Sequence, residues 1–164
     1  MAEQGGSKTT IKLKCSDNAI FEVELFIAKQ MQTVQSYIDA NSAATSLIIP
    51  LPNVCSAELT KIIDYCHVHH RNGDAGDSGE FKEFDRQFLA AMSYDELKAL
   101  FVASNYLNIK DLFNFLSRSI ANIIENKSVE FVRNFFDVEN DYTVQEEARL
   151  RKQNAWTFEG VDDD

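Results

Sequence analysis

From Tyr94 to Asn126 mostly apolar residues recur at helical spacing twice: as Leu97, Leu100, Phe101, Ser104, and then as Ile109, Leu112, Phe113, Leu116, Ile120, Ile123, Ile124. The polar-aromatic stretch Asn105-Tyr106-Leu107-Asn108 separates them. Residues at i, i+3, i+4 and i+7 line one face of a helix, so this pattern predicts a helical hairpin that must bury two apolar faces. Asn108 is placed to cap the second helix, because its side-chain oxygen can accept one of the unpaired backbone N–H groups. Phe115 lies off the main stripe, so the second helix is either enclosed in a core or offers a further face to another segment.

The rest of the chain supplies what that hairpin packs against. Met1 to Lys8 is small, polar and glycine-rich, and reads as a flexible tail. Thr10 to Lys14 and Ile20 to Glu24 alternate apolar with polar residues around the turn-forming Ser16-Asp17-Asn18, the pattern of a β-hairpin with one wet face. Lys12 and Lys14 opposite Glu22 and Glu24 would add roughly a few tenths of a kcal/mol per pair. Short helices are expected over Leu25 to Gln30 and over Thr33 to Ala40, with Thr33 as N-cap and Val34, Tyr37 and Ile38 turned inward. Leu47 to Ile49 reads as an apolar strand stopped by Pro50-Leu51-Pro52.

Ser56 to His70 carries the stripe Leu59, Ile62, Ile63, Cys66 and is expected to be helical. The segment 72–83 has three glycines among acidic residues, too little apolar area to offset chain entropy, and reads as a mobile acidic loop. Phe84 to Met92 follows as a short helix. Ser93-x-x-Glu96 and Thr143-x-x-Glu146 are capping boxes that open helices, the second with Glu147 four residues ahead of Arg151. Ser128 to Phe136 is a further short helix. Strands first and helices to the end describe an α+β chain: a small sheet packed with helices, followed by an all-helical C-terminal part.

A chain of 164 residues is long enough for a substantial core. The formal net charge of -10 argues against nucleic acid, whose phosphates call for clustered Lys and Arg, and against an anionic membrane surface. No apolar run of spanning length and no basic-then-apolar leader is visible, which leads to the expectation of a cytoplasmic and nuclear protein. Three widely spaced cysteines, Cys15, Cys55 and Cys66, fit reduced thiols better than a disulfide framework.

Motifs that carry chemistry are scarce. The sequence has no glycine-rich phosphate loop, nucleophile elbow or dinucleotide fingerprint, so neither a catalytic residue nor a cofactor site is expected. Cys66-His67-Val68-His69-His70 is the most metal-like cluster. A zinc site needs four converging ligands, however, and these histidines fan out around the wet end of a helix, so no metal is expected either. The acidic loop lacks the ordered carboxylates and closing bidentate Glu of a calcium loop.

The aromatic residues are distinctive. Half of the twelve phenylalanines, Phe101, Phe113, Phe115, Phe131, Phe135 and Phe136, fall within thirty-six residues. Core packing accounts best for Phe101 and Phe113. Phe131, Phe135, Trp156 and Phe158 sit on a short helix and a near-terminal segment that make a poor closed core and a good groove for a partner's helices.

Here the residues resemble a family, the Skp-type adaptors of SCF (Skp, cullin, F-box) ubiquitin ligases, relatives of elongin C within the BTB/POZ fold. The matching stretches are Ile11-Lys12-Leu13, Ser16-Asp17, Ile20-Phe21-Glu22-Val23-Glu24, Ile27-Ala28-Lys29-Gln30 and Pro50-Leu51-Pro52-Asn53-Val54. They continue with Phe88-Leu89, Asn105-Tyr106-Leu107-Asn108-Ile109-Lys110, Asn140-Asp141-Tyr142-Thr143 and Asn154-Ala155-Trp156. The resemblance implies a non-catalytic adaptor with a BTB/POZ-like domain over 9–126 and a C-terminal F-box-binding extension over 127–164. It places Asn105 and Tyr106 at the cullin-facing hinge. It implies F-box contacts from Leu112, Phe113, Leu116, Ile120, Phe131, Phe135, Phe136, Trp156 and Phe158, with no small-molecule substrate.

The departures from that family pattern are specific. Lys98 stands where the family has an apolar residue, Phe113 and Phe115 where it has Leu, Phe135 where it has Thr, and Val144 where it has Pro. Ser128-Val129-Glu130-Phe131-Val132-Arg133 replaces a Thr-Pro-Glu-Glu-Ile-Arg run. Most of these lie on the F-box side, so a divergent paralogue with an altered F-box partner set is expected. The alternative is a BTB-like assembly protein that self-associates outside ubiquitin ligases.

Overall fold

The computed structural model describes residues 10–41, 47–70 and 79–162, with the side chains of 79–81 left undescribed. It divides into two compact units, Met1–Leu116 and Ser117–Asp164. The expected flexible tail over 1–8 lies outside the described residues, as does the acidic loop as far as residue 78.

In the first unit β1 (Thr10–Cys15) pairs antiparallel with β2 (Ile20–Glu24) and parallel with β3 (Ile48–Leu51), giving the order β2-β1-β3. Alternation is kept: Leu13, Cys15, Val23, Ile49 and Leu51 are buried while Lys12, Lys14, Ile20 and Glu22 are exposed. The register sets Lys12 opposite Glu22 but Lys14 opposite Ile20, and Thr10 opposite Glu24. One of the two expected charge pairs is therefore aligned; at the next position Thr10 takes the lysine's place and its hydroxyl donates to Glu22 at 2.5 Å. Pro50 lies inside β3 rather than stopping it, which an edge strand tolerates because the missing N–H costs no ladder bond.

Two short helices follow β2, α1 (Leu25–Ala28) and α2 (Gln32–Ala40). Val34 is buried as expected, but Tyr37 is exposed, and the N-cap position of α2 is Met31. Thr33 does not cap that helix because its hydroxyl is used elsewhere, donating to the carbonyl of Tyr106 at 2.7 Å. The helix α3 (Ser56–His70) buries Leu59, Ile62, Tyr65 and Cys66, and its start is held by Asp17, whose carboxylate accepts from both the amide and the hydroxyl of Ser56.

The helix α4 covers Gly79–Ala90 and so begins within the segment expected to be loop; residues 79–83 are helical. Lys82-Glu83-Phe84-Asp85-Arg86-Gln87 explains the early start, since Glu83 accepts from Arg86 and Gln87 at i+3 and i+4, pairs that support a helical turn. Phe84 and Phe88 of α4 stack on each other, and Phe88 lies 5.9 Å from Tyr65 of α3. α5 (Tyr94–Tyr106) opens on the Ser93/Glu96 capping box and packs on α3, with Lys61 reaching Glu96 at 3.2 Å. α6 (Lys110–Ile124) completes the hairpin. Phe115 uses its off-stripe position to stack on Tyr65, so the second face of α6 is partly covered within the first unit.

The second unit contains α7 (Val129–Phe136), α8 (Val144–Gln153) and a terminal 3-10 helix (Ala155–Phe158). The Thr143/Glu146 capping box forms as expected. Buried side chains come from α7 and the end of α6, whereas α8 buries none.

Candidate functional site

Two surfaces emerge, one in each unit. At the first, the α5–α6 junction, Asn108 has φ 52°, the left-handed conformation that asparagine tolerates. The amide of Asn108 donates to Asn105 and that of Ile109 to Ser104, both at 3.0 Å. This paired closure satisfies the last carbonyls of α5, so Asn108 ends that helix and does not cap α6, contrary to the sequence expectation. Leu107 and Ile109 are buried on either side of it, and the amide of Thr33 adds a 3.3 Å bond to Leu107 beside the Thr33–Tyr106 bond. The junction is thus fixed in shape, with Asn105 exposed and Tyr106 half-buried.

Flanking the junction, Phe101 and Phe113 stack at 4.9 Å, both half-buried. Lys98 on the outer face of α5 pairs with Asp95 at 3.0 Å, which keeps a charge in a position only 21% exposed.

The histidines of α3 are drawn to different partners. His67 and His70 meet the ring of Phe26, while His69 stacks on Tyr65 at 4.0 Å and its Nε2 lies 2.9 Å from Asp85. Their rings serve packing between α1, α3 and α4. The cysteines are free; Cys55 is exposed and the other two are buried. Burial pushes the Cys66 thiol up to about 12, and burial aided by Asp17 pushes Cys15 up to about 11.

The surface in the second unit is aromatic and charged. Ser128 caps α7 by accepting from the amide of Phe131, and Asp137, with φ 55°, ends it. Phe135 is buried, stacked at 6.3 Å on Phe131 one turn earlier and meeting Phe136 edge-on at 4.9 Å. Phe131 and Phe158 are half-buried, Phe136 is 43% exposed and Trp156 is 72% exposed. A charged network ties α7 to α8: Glu147 accepts from Arg133, Asn140 and Arg151, and Arg151 also reaches Glu130. The Arg133 bond, with those from Asn140 and Arg151, holds the Glu147 carboxyl below its usual range.

Between these elements lie two open clefts. One of about 280 Å³ is lined by Val129, Arg133, Tyr142, Leu150, Arg151 and Phe158. A wider one of about 600 Å³ is lined by Glu130, Phe131, Asn134, Phe158, Val161 and Asp162.

The residues expected to contact F-box helices therefore differ in position. Leu112 and Leu116 of the first unit and Ile120 and Phe135 of the second are buried. Phe135 is enclosed by Phe131 and Phe136, its neighbours on α7, although its spacing puts it on the same helix face as Phe131. Phe113, Phe131, Phe136, Trp156 and Phe158 reach the surface. Sequence reasoning missed Tyr142 and Leu150 as cleft walls. It also missed Arg133 as the third member of the Glu147–Arg151 pair, for which helical spacing gave no signal because Arg133 lies on another helix.

Residues 9–71 match the Skp1 family tetramerisation domain and residues 110–157 match the Skp1 family dimerisation domain. The chain is similar to SKP1-like protein 14 of Arabidopsis thaliana, 37% identical over 153 residues that cover 93% of this chain and 99% of the relative. SKP1-like protein 20 of Oryza sativa subsp. japonica is 35% identical over 97% of this chain and 100% of its own length. The SCF ubiquitin ligase complex protein SKP1a of Dictyostelium discoideum is 36% identical over 89% of this chain and 94% of its own. Matched by two models of one family and aligned with such relatives along most of its length, this chain belongs to the Skp1 family.

Proposed function

We propose that this chain is a non-catalytic adaptor of an SCF-type ubiquitin ligase, bridging a cullin scaffold to F-box substrate receptors. The observation that carries the reading is the second unit's surface: Trp156 and Phe136 stay exposed, and the same unit carries a mostly apolar cleft walled by Val129, Leu150 and Phe158, in a chain whose relatives include an SCF complex protein. A monomer gains nothing from leaving such rings in water, whereas a partner that brings amphipathic helices would cover them. The cullin would dock at Asn105 and Tyr106, on a junction whose backbone is already fixed and so loses little entropy on binding. F-box helices would contact Phe113 in the first unit and Phe131, Phe136, Trp156 and Phe158 in the second, with Leu112 and Leu116 buried behind the former and Ile120 and Phe135 within the latter's own unit. Such an adaptor works in the cytoplasm and the nucleus.

The test is affinity purification of the intact chain beside two double variants, Asn105→Lys with Tyr106→Lys, and Phe131→Ala with Trp156→Ala, followed by mass spectrometry. The first variant should lose the cullin and keep F-box proteins; the second should do the reverse. The matched domains carry the descriptions tetramerisation and dimerisation, which favours self-association as the second reading. If neither partner class co-purifies and the chain instead forms concentration-dependent oligomers that Trp156→Ala dissolves, that reading replaces the adaptor.

A further inference from the structure

Beyond the terminal 3-10 helix the chain turns back at Gly160, whose φ of 78° is a left-handed conformation that other residues enter only under strain. Nothing lies within 4 Å of the place a Cβ would occupy, so the backbone conformation alone favours glycine there. The turn returns Val161 and Asp162 to the junction between α6 and α7. There the amide of Asp162 donates to the carbonyl of Asn126 at 2.7 Å, and its carboxylate lies 3.2 Å from Nζ of Lys127.

The Lys127 ammonium also sits 5.5 Å from the centroid of the Phe131 ring. At the other end of the segment the Arg151 guanidinium stands 5.2 Å over Phe158. The segment therefore forms one wall of the wider cleft, with Phe131 and Asn134 on the facing α7 wall and Phe158, Val161 and Asp162 on its own side. Its fastenings are weak. The Lys127–Asp162 pair is exposed on both sides, 30% and 57%, and exposed pairs contribute little and are screened by salt.

We propose that residues 159–162 form a latch that narrows the α7 cleft in the unpartnered chain and lifts to admit an apolar helix to Phe131 and Phe158. The identity of that helix as an F-box helix rests on the adaptor reading; the closure itself does not. The turn at Gly160 gives a hinge, and the Asp162 amide bond with the exposed Lys127–Asp162 pair gives a fastening, the two parts a reversible closure needs. Because Lys127 touches both Asp162 and Phe131, a ring packed against Phe131 competes for the cation that holds the latch.

Three full-length variants test this. Lys127→Gln removes the cation, Gly160→Ala strains the turn while leaving every charge, and Lys127→Glu with Asp162→Lys exchanges the pair. The amide exchange of Asp162 is followed by NMR, and the association rate constant is measured against an immobilised recombinant F-box domain. Lys127→Gln and Gly160→Ala should each speed both several-fold, and the exchanged pair should return both towards the wild-type values. Unchanged amide exchange in the first two variants would overturn the latch. So would faster exchange with an unaltered association rate constant, since the segment would then move without gating the cleft. If the F-box domain binds neither the wild-type chain nor any variant, the adaptor reading fails, and the amide exchange alone decides whether the segment is a closure.

Discussion

The hydroxyl of Thr33 donates to the backbone carbonyl of Tyr106 at 2.7 Å, joining the start of α2 to the end of α5 across 73 residues of sequence. Replacing it with valine keeps the branched shape and leaves that part-buried carbonyl without its donor. A net loss of about 1 kcal/mol is expected, the ordinary worth of one such bond. The urea midpoint should fall with little change in the slope of the transition, and the amides of Asn108 and Ile109 should exchange faster. An unaltered midpoint would mean that water replaces the hydroxyl without loss.

Phe135 and Trp156 were grouped by sequence and are separated by structure. With Phe135 only 4% exposed and wedged between Phe131 and Phe136, Phe135→Ala should cost about 3–5 kcal/mol, the range for a buried aromatic ring replaced by alanine. Trp156, 72% exposed, should cost within about 0.5 kcal/mol on the same substitution. In binding to an F-box domain the order reverses for equally folded protein, and Trp156→Ala should weaken affinity by about tenfold or more, as loss of an interfacial aromatic anchor does. Urea unfolding and titration calorimetry on the two variants separate these effects. A Trp156→Ala chain as unstable as Phe135→Ala would place the indole in the core.

What could be read from sequence depended on how local its cause was. The Ser93/Glu96 and Thr143/Glu146 boxes, the start of α3 and the β1–β2 hairpin are set by residues within a few positions of one another, and all appear as expected. Asn108 was legible as a special position but not in its role. Asparagine serves both as an N-cap and as a left-handed helix end, and only the Ile109–Ser104 bond decides between them. The parallel pairing of β1 with β3 and the Thr33–Tyr106 bond join residues far apart in the chain, for which periodicity carries no information. Periodicity also counts Phe131 and Phe135 together, one turn apart, although the first is half-buried and the second fully enclosed.

The bonds from Arg133, then Asn140 and Arg151, keep Glu147 ionised in the folded chain to lower pH than in the unfolded one. A depressed carboxyl pKa contributes stability that is complete above the unfolded value, near 4.5, and is lost as pH falls through the lower folded value. Glu146 and Glu96, bonded to their helix caps, act in the same direction. The chain should therefore lose stability below pH about 4.5, and Glu147→Gln should make that acid limb shallower while lowering stability at neutral pH. Urea midpoints of both proteins across the acid range check this. Parallel acid limbs would show that the network between α7 and α8 holds no proton-linked stability.

The three thiols should divide by reactivity in a way that follows their burial. Cys55 is exposed at the foot of α3, within 3.3 Å of the Ser16 hydroxyl, whereas Cys15 and Cys66 are 3% and 0% exposed. Only the thiolate attacks a disulfide reagent, and burial holds the two inner thiols protonated up to about 11 and about 12. Near pH 8 the folded chain should thus release one equivalent of reporter from a disulfide reagent, and the denatured chain all three. The sign of the linkage is the reverse of that for Glu147: a raised thiol pKa gives stability that is intact below the unfolded value of 9.0 and is lost as pH climbs towards the folded values. Protection of Cys15 and Cys66 should accordingly weaken above pH 9, and inner thiols that reacted at pH 8 as fast as Cys55 would show the sheet and α3 opening far more often than their packing allows.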